Sequence, residues 1–270
     1  MTLRRRAMLV VAATMAMLAA PPAARAMGSA QDCQPEDLAP VDAWLARHPW
    51  RVGATQADAL VAAACKTSPA GRDLLLVAAA YAQDQEWNKN VVVAVVDAKR
   101  NAVRAAFKGV VVERTFMRIE QGSLRLDTSR YNLAAGVRAF GVDVSSSVSP
   151  PCGEGHPTWI RSLFVEDGDH LRPVLDGFVV KSSKILGAST CAAQGRGDGF
   201  EPAEVDATLA LSPHATQGFA DLVVTETSTW PRDVPKTTAR YELHYDGAAY
   251  RRVDGAPVAP ILAPETDPKR

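Results

Sequence analysis

The chain has 270 residues, 47% of them hydrophobic, with 30 basic and 30 acidic side chains and a formal net charge of zero. That length suffices for one large β domain or two small ones with a self-supporting core. The absence of a basic excess argues against a nucleic-acid partner, which needs a positive face.

Residues 1–26 read as a secretory signal: Arg4, Arg5 and Arg6, an apolar run over 7–20, then Ala24-Arg25-Ala26 as a small-residue cleavage site. A membrane anchor is the alternative, but the run is shorter than the ~20 residues a spanning helix needs, and Pro21-Pro22 follow at once. The expected location is therefore the periplasm, with no membrane span after cleavage. Export by the general secretory route is favoured, although the arginine triplet also fits a twin-arginine signal. Cleavage removes Arg4, Arg5, Arg6 and Arg25 and no acid, which leaves the mature chain mildly acidic.

An oxidising compartment and an even cysteine count imply disulfides. Cys33 with Cys65 and Cys152 with Cys191 are the near-neighbour pairings among three combinations. In the loop-entropy model each bridge contributes about 3.5–4 kcal/mol. No Cys-x-x-Cys occurs, so a structural role outweighs a metal or redox role.

Residues 27–69 are expected to be helical. From Pro35, Leu38, Val41 and Leu45 share a face with Trp44 beside them. A second helix is expected from Thr55 and Asp58, with Leu60, Val61, Ala64 and Cys65 on one face until Ser68-Pro69. A Cys33–Cys65 bridge would staple the two into a helical hairpin.

Residues 70–253 change to strand, turn, strand. The continuous apolar runs 74–81 and 91–96 read as central strands, and a turn over 97–101 leads into a strand over 103–112. Strands then start at Leu124 and at Val137, separated by a turn region over 131–136, and a Ser/Pro/Gly loop covers 145–157. Strands 159–165 and 170–180 flank the turn pair Asp167-Gly168, and a loop spans 187–202. Strands over 205–211, 219–227, 238–245 and 249–253 close the domain, with Asp246-Gly247 turning the last pair. The proline-bearing segment 254–270 is expected to be loose. About ten strands with short connections make an antiparallel meander or sandwich, mainly β in class, with a partial propeller as the runner-up.

The segments 91–97, 122–128, 136–142 and 169–175 carry a resemblance to uncharacterised exported proteins of Gram-negative bacteria, covering most of residues 53–253. It implies a periplasmic domain of unknown function and transfers no functional residue.

Within the domain, His156 and Trp159 are the candidate ligand contacts, because they lie near Cys152 and Glu154 at a Gly/Pro loop where a site could stand on a rigid scaffold. A disulfide-tied surface loop has the same composition. Asp167, Asp169 and His170 read as hairpin chemistry, since no calcium-loop spacing ends in a glutamate. Ser145, Ser146 and Ser147 lack a nucleophile elbow, and no dinucleotide, phosphate-loop or haem motif occurs, so no cofactor is expected. Arg196-Gly197-Asp198 reads as an exposed loop, and Trp87, Trp159 and Trp230 as aromatic caps on a β core. The expected function is non-catalytic binding of a periplasmic protein or cell-envelope component, one version being inhibition of a hydrolase. The alternative is a hydrolase or metal-dependent enzyme assembled from distant residues, in which case three of His156, His170, His214 and His244 should converge.

Overall fold

In the computed structural model the described residues are 31–50, 60–83, 88–113, 117–145, 155–184, 203–229, 235–252 and 261–264. The signal segment, Cys152, Glu154 and Cys191 lie outside them, as do Trp87, Trp230 and the Arg-Gly-Asp tripeptide. Among the described residues no helix is long and apolar enough to cross a membrane.

The only helix of these segments, α1 (Pro35–Arg47), starts where its chemistry places it. Pro35 opens the first turn, and the Asp37 carboxylate accepts the Gln34 backbone N–H at 3.0 Å. Its apolar face, Val41 and Leu45 with Leu38 and Trp44, packs on the sheet as the periodicity predicted.

The second expected helix is instead strand β1 (Leu60–Thr67). It pairs antiparallel with β2 (Leu74–Ala82), Cys65 opposite Val77 and Ala63 opposite Ala79. Ala62 and Ala64 enter one core while Ala63 and Cys65 face another. A short apolar run fits helix and strand alike, and the free edge of β2 outweighs the helix propensity of the alanines. The helical hairpin is thus a helix tied to a strand, and the tie is the Cys33–Cys65 disulfide.

β2 and β3 (Asn88–Asp97) are buried on both faces, as their unbroken apolar runs require. β4 (Ala102–Val112) follows through the turn at Asp97, whose carboxylate accepts the Lys99 and Arg100 N–H groups. β5 (Leu124–Ala134), β6 (Val137–Ser145) and β7 (Gly155–Asp167) form an antiparallel meander. β5 extends through most of the region read as a turn. β8 (His170–Lys184) returns from the expected turn, where Gly168 takes a left-handed φ of 64°. β9 (Ala203–Thr216), β10 (Phe219–Thr229), β11 (Thr237–Tyr245) and β12 (Tyr250–Arg252) complete a second meander.

All thirteen strands of the described residues join one hydrogen-bonded network. It is mixed rather than purely antiparallel, because β4 meets β8 in parallel at Ala106 and His170. The last strand, β13 (Leu262–Pro264), corrects the expectation of a wholly loose tail: it pairs with β4 at Gly109, Val110 and Val111.

Three apolar cores of buried residues form on this mixed network. The first lies between β1–β4 and the apolar face of β5–β7, with the Phe164 ring against those of both Phe107 and Phe140 and Leu262 in the same cluster. The second joins the ends of β5–β7 to β8–β12 through Leu163, Leu175, Leu222 and Leu243. The third lies under α1.

Candidate functional site

Two polar clusters are built on these strands, and they differ in whether their hydrogen-bonding capacity is used up. The first spans β5, β6 and β7. Asp143, fully buried, accepts Arg161 Nε at 2.6 Å and Nη2 at 2.8 Å, and Arg125 Nε at 3.0 Å and Nη2 at 2.6 Å. Arg161 Nη1 also reaches Asp127 Oδ2 at 2.6 Å and the Tyr131 hydroxyl at 2.8 Å, and that hydroxyl donates to Asp127 at 2.8 Å. Burial disfavours the Asp127 carboxylate, but Arg161 and hydrogen bonds from Ser129 and Tyr131 outweigh it and hold its carboxyl below the usual range.

Gly141 gives this cluster its room, since a Cβ there would lie 3.0 Å from the Asp127 Cβ and 3.3 Å from the Arg161 Cδ. The candidate Trp159 stands at the edge of the cluster with the Arg125 guanidinium 4.3 Å from its ring centroid. Every Asp143 oxygen is engaged, so the cluster clamps three strands and has no free carboxylate for a ligand. His156 lies at the start of β7 opposite Ser183. His170 sits at the β7–β8 turn, exposed and paired with its neighbour Asp169.

The second cluster lies where β9, β10 and β11 adjoin. Leu222 is opposite both Leu211 and Leu243, and these three side chains point into the second core. Strand alternation therefore puts Asp221, Glu242 and His244 together on the other face. The β9–β10 register slips between Ala220 and Leu222, so the residues of β9 facing Asp221 include Ser212, Pro213 and His214. Such a bulge re-aims side chains locally.

Asp221 is 1% exposed. Its Oδ2 faces His244 Nδ1 at 3.0 Å and accepts the Thr216 hydroxyl at 3.1 Å. Its Oδ1 is buried and has no hydrogen-bond partner among the described residues. Ser212 Oγ donates to Glu242 Oε1 at 3.2 Å. Glu242 and His244 are half-buried, so solvent reaches the cluster from their side. Beneath it, burial first and the Asp221 charge second raise the Tyr250 phenol well above its ordinary range, and its hydroxyl donates to the Ala220 carbonyl at 2.6 Å.

Asp221, Glu242 and His244 each offer one oxygen or nitrogen, all within 4.8 Å of one another. Of the four histidines expected to converge if the protein were an enzyme, His244 alone enters this group. A signal for half of the cluster exists in the sequence: Glu242-Leu243-His244 puts an acid and an imidazole two apart on a strand, hence on one face. Asp221 comes from the neighbouring strand across a bulge, and spacing alone does not reveal that register.

No family model, curated protein or solved structure matches the chain.

Proposed function

We propose that this protein is an exported, non-catalytic binding module of the periplasm, and that its binding determinants lie on the polar face shared by β9, β10 and β11. The observation that carries this reading is Asp221, a carboxylate almost wholly withdrawn from water with one oxygen unsatisfied among the described residues. Leaving such an atom unpaired costs about 1–3 kcal/mol or more, a cost that a ligand at the cluster would offset. The signal-like N-terminus and the resemblance to exported proteins support the location.

A second reading, a hydrolase assembled from distant residues, draws on the same group. An imidazole held by a buried carboxylate beside a second carboxylate is also a general acid–base arrangement.

Native mass spectrometry of the protein recovered from the envelope separates the two when combined with turnover assays on ester, phosphoester and peptide substrates. A binding module retains a ligand mass that is lost on denaturation and shows no turnover. Turnover abolished by His244→Gln would establish the hydrolase instead.

A further inference from the structure

We infer that Asp221, Glu242 and His244 form a binding site for one divalent transition-metal ion of the zinc class; this names the ligand of the face proposed above and so rests on that reading. The donor set is two carboxylates and one imidazole, a combination zinc and its neighbours accept and one ill suited to calcium, which takes six to eight oxygens.

Bond lengths of about 2.0–2.2 Å put neighbouring ligand atoms about 3.3 Å apart around a tetrahedral ion. Asp221 Oδ2 and His244 Nδ1 already meet that spacing at 3.0 Å, and the Glu242 carboxylate offers an oxygen within 4.8 Å of the other two ligand atoms. The surroundings resemble an outer coordination shell. Thr216 donates to Asp221 Oδ2 and Ser212 to Glu242 Oε1, which orients both carboxylates, and Asp221 Oδ1 has no hydrogen-bond partner among the described residues.

A simple Asp221–His244 ion pair accounts for one contact but leaves two features unexplained. It satisfies neither Asp221 Oδ1 nor the presence of a second acid beside a buried one, where like charges repel unless a cation lies between them.

The test is calorimetric titration of the chelator-stripped full chain with zinc chloride, alongside cobalt chloride followed by visible absorption. One equivalent of zinc should bind, and cobalt should give the d–d bands of a low-coordinate nitrogen/oxygen site. Asp221→Asn and His244→Gln should each weaken zinc by at least about 100-fold, and Ser212→Ala by about 10-fold, as for partners that orient ligands. His170→Gln, at the β7–β8 turn and outside the donor set, should leave binding unchanged, and millimolar calcium should not compete.

Zinc binding that survives Asp221→Asn and His244→Gln, or no binding at ~100 μM protein, overturns the assignment. If Asp221→Asn does not fold, the half-buried Glu242→Gln, checked by circular dichroism, decides: a loss of tenfold or more supports the site and unchanged affinity overturns it. A non-metal mass retained in the native spectrum, together with no zinc binding, would remove the metal while leaving the binding module standing.

Discussion

Asp143 and Asp221 are both buried acids on neighbouring meanders, and what separates them is the count of donors around each. Asp143 meets two guanidinium groups with both oxygens engaged, whereas Asp221 has one oxygen without a partner among the described residues. The first is a clamp whose tight fit is itself testable. Gly141→Ala would drive a methyl group to 3.0 Å from the Asp127 Cβ, and overpacking of this kind costs about 1–3 kcal/mol, read as a drop in the urea midpoint. The same cluster sets an acid limit. Asp127 has a carboxyl depressed by Arg161 and its hydrogen bonds, so its contribution is fully present above the unfolded value of about 3.9 and is lost as pH falls through the lower folded value. Urea midpoints measured between pH 5 and about pH 2 should fall for the native protein, and less steeply for Asp127→Asn.

At the scale of the element, β1 shows where pattern reading stops. Residues 60–67 hold apolar side chains at positions that satisfy a helix face and a two-sided strand equally. The deciding fact is the bare edge of β2, which lies outside the segment. By contrast β2, β3 and β4, and the hairpin through Asp167-Gly168, were legible because burial on both faces and turn chemistry are written in the residues themselves. The candidate site divides in the same way. Glu242 and His244 are readable from β11 alone, while Asp221 depends on a register shift between two strands. Trp159, proposed as a ligand contact, has an arginine over its ring.

The Cys33–Cys65 bridge, anticipated from proximity in sequence, holds the segment before α1 against β1, where the Cys65 N–H donates to the Gln31 carbonyl. Replacing both cysteines by serine should destabilise the protein by about 3.5–4 kcal/mol in the loop-entropy model. A matching shift in the thermal midpoint of the native protein on adding reductant would check it.

For the whole molecule, the mainly β class was anticipated and the strand connections were not. The expected meander has no place for a parallel contact, and the one that occurs, Ala106 with His170, marks where β4 and β8 begin to part. Into that parting comes β13. Leu262 is 2% exposed, its N–H donates to the Asp176 carboxylate at 3.1 Å, and Ser162 donates to the same carboxylate at 2.6 Å. Leu262→Ala should cost about 2–5 kcal/mol, the range for emptying a buried leucine site, with the loss read by chemical denaturation. A segment of three strand residues among prolines offers little pattern from which to foresee this.

The placement of β13 also orders events in time. A chain made from its N-terminus completes β4 roughly 150 residues before Leu262 exists to lie beside Val111. Until then the first core has an unsealed side, with the Gly109–Val111 edge unpaired at that end. Whenever folding proceeds from the N-terminal side, that seam waits on a segment far along the chain, and the strands on either side of it must come together first.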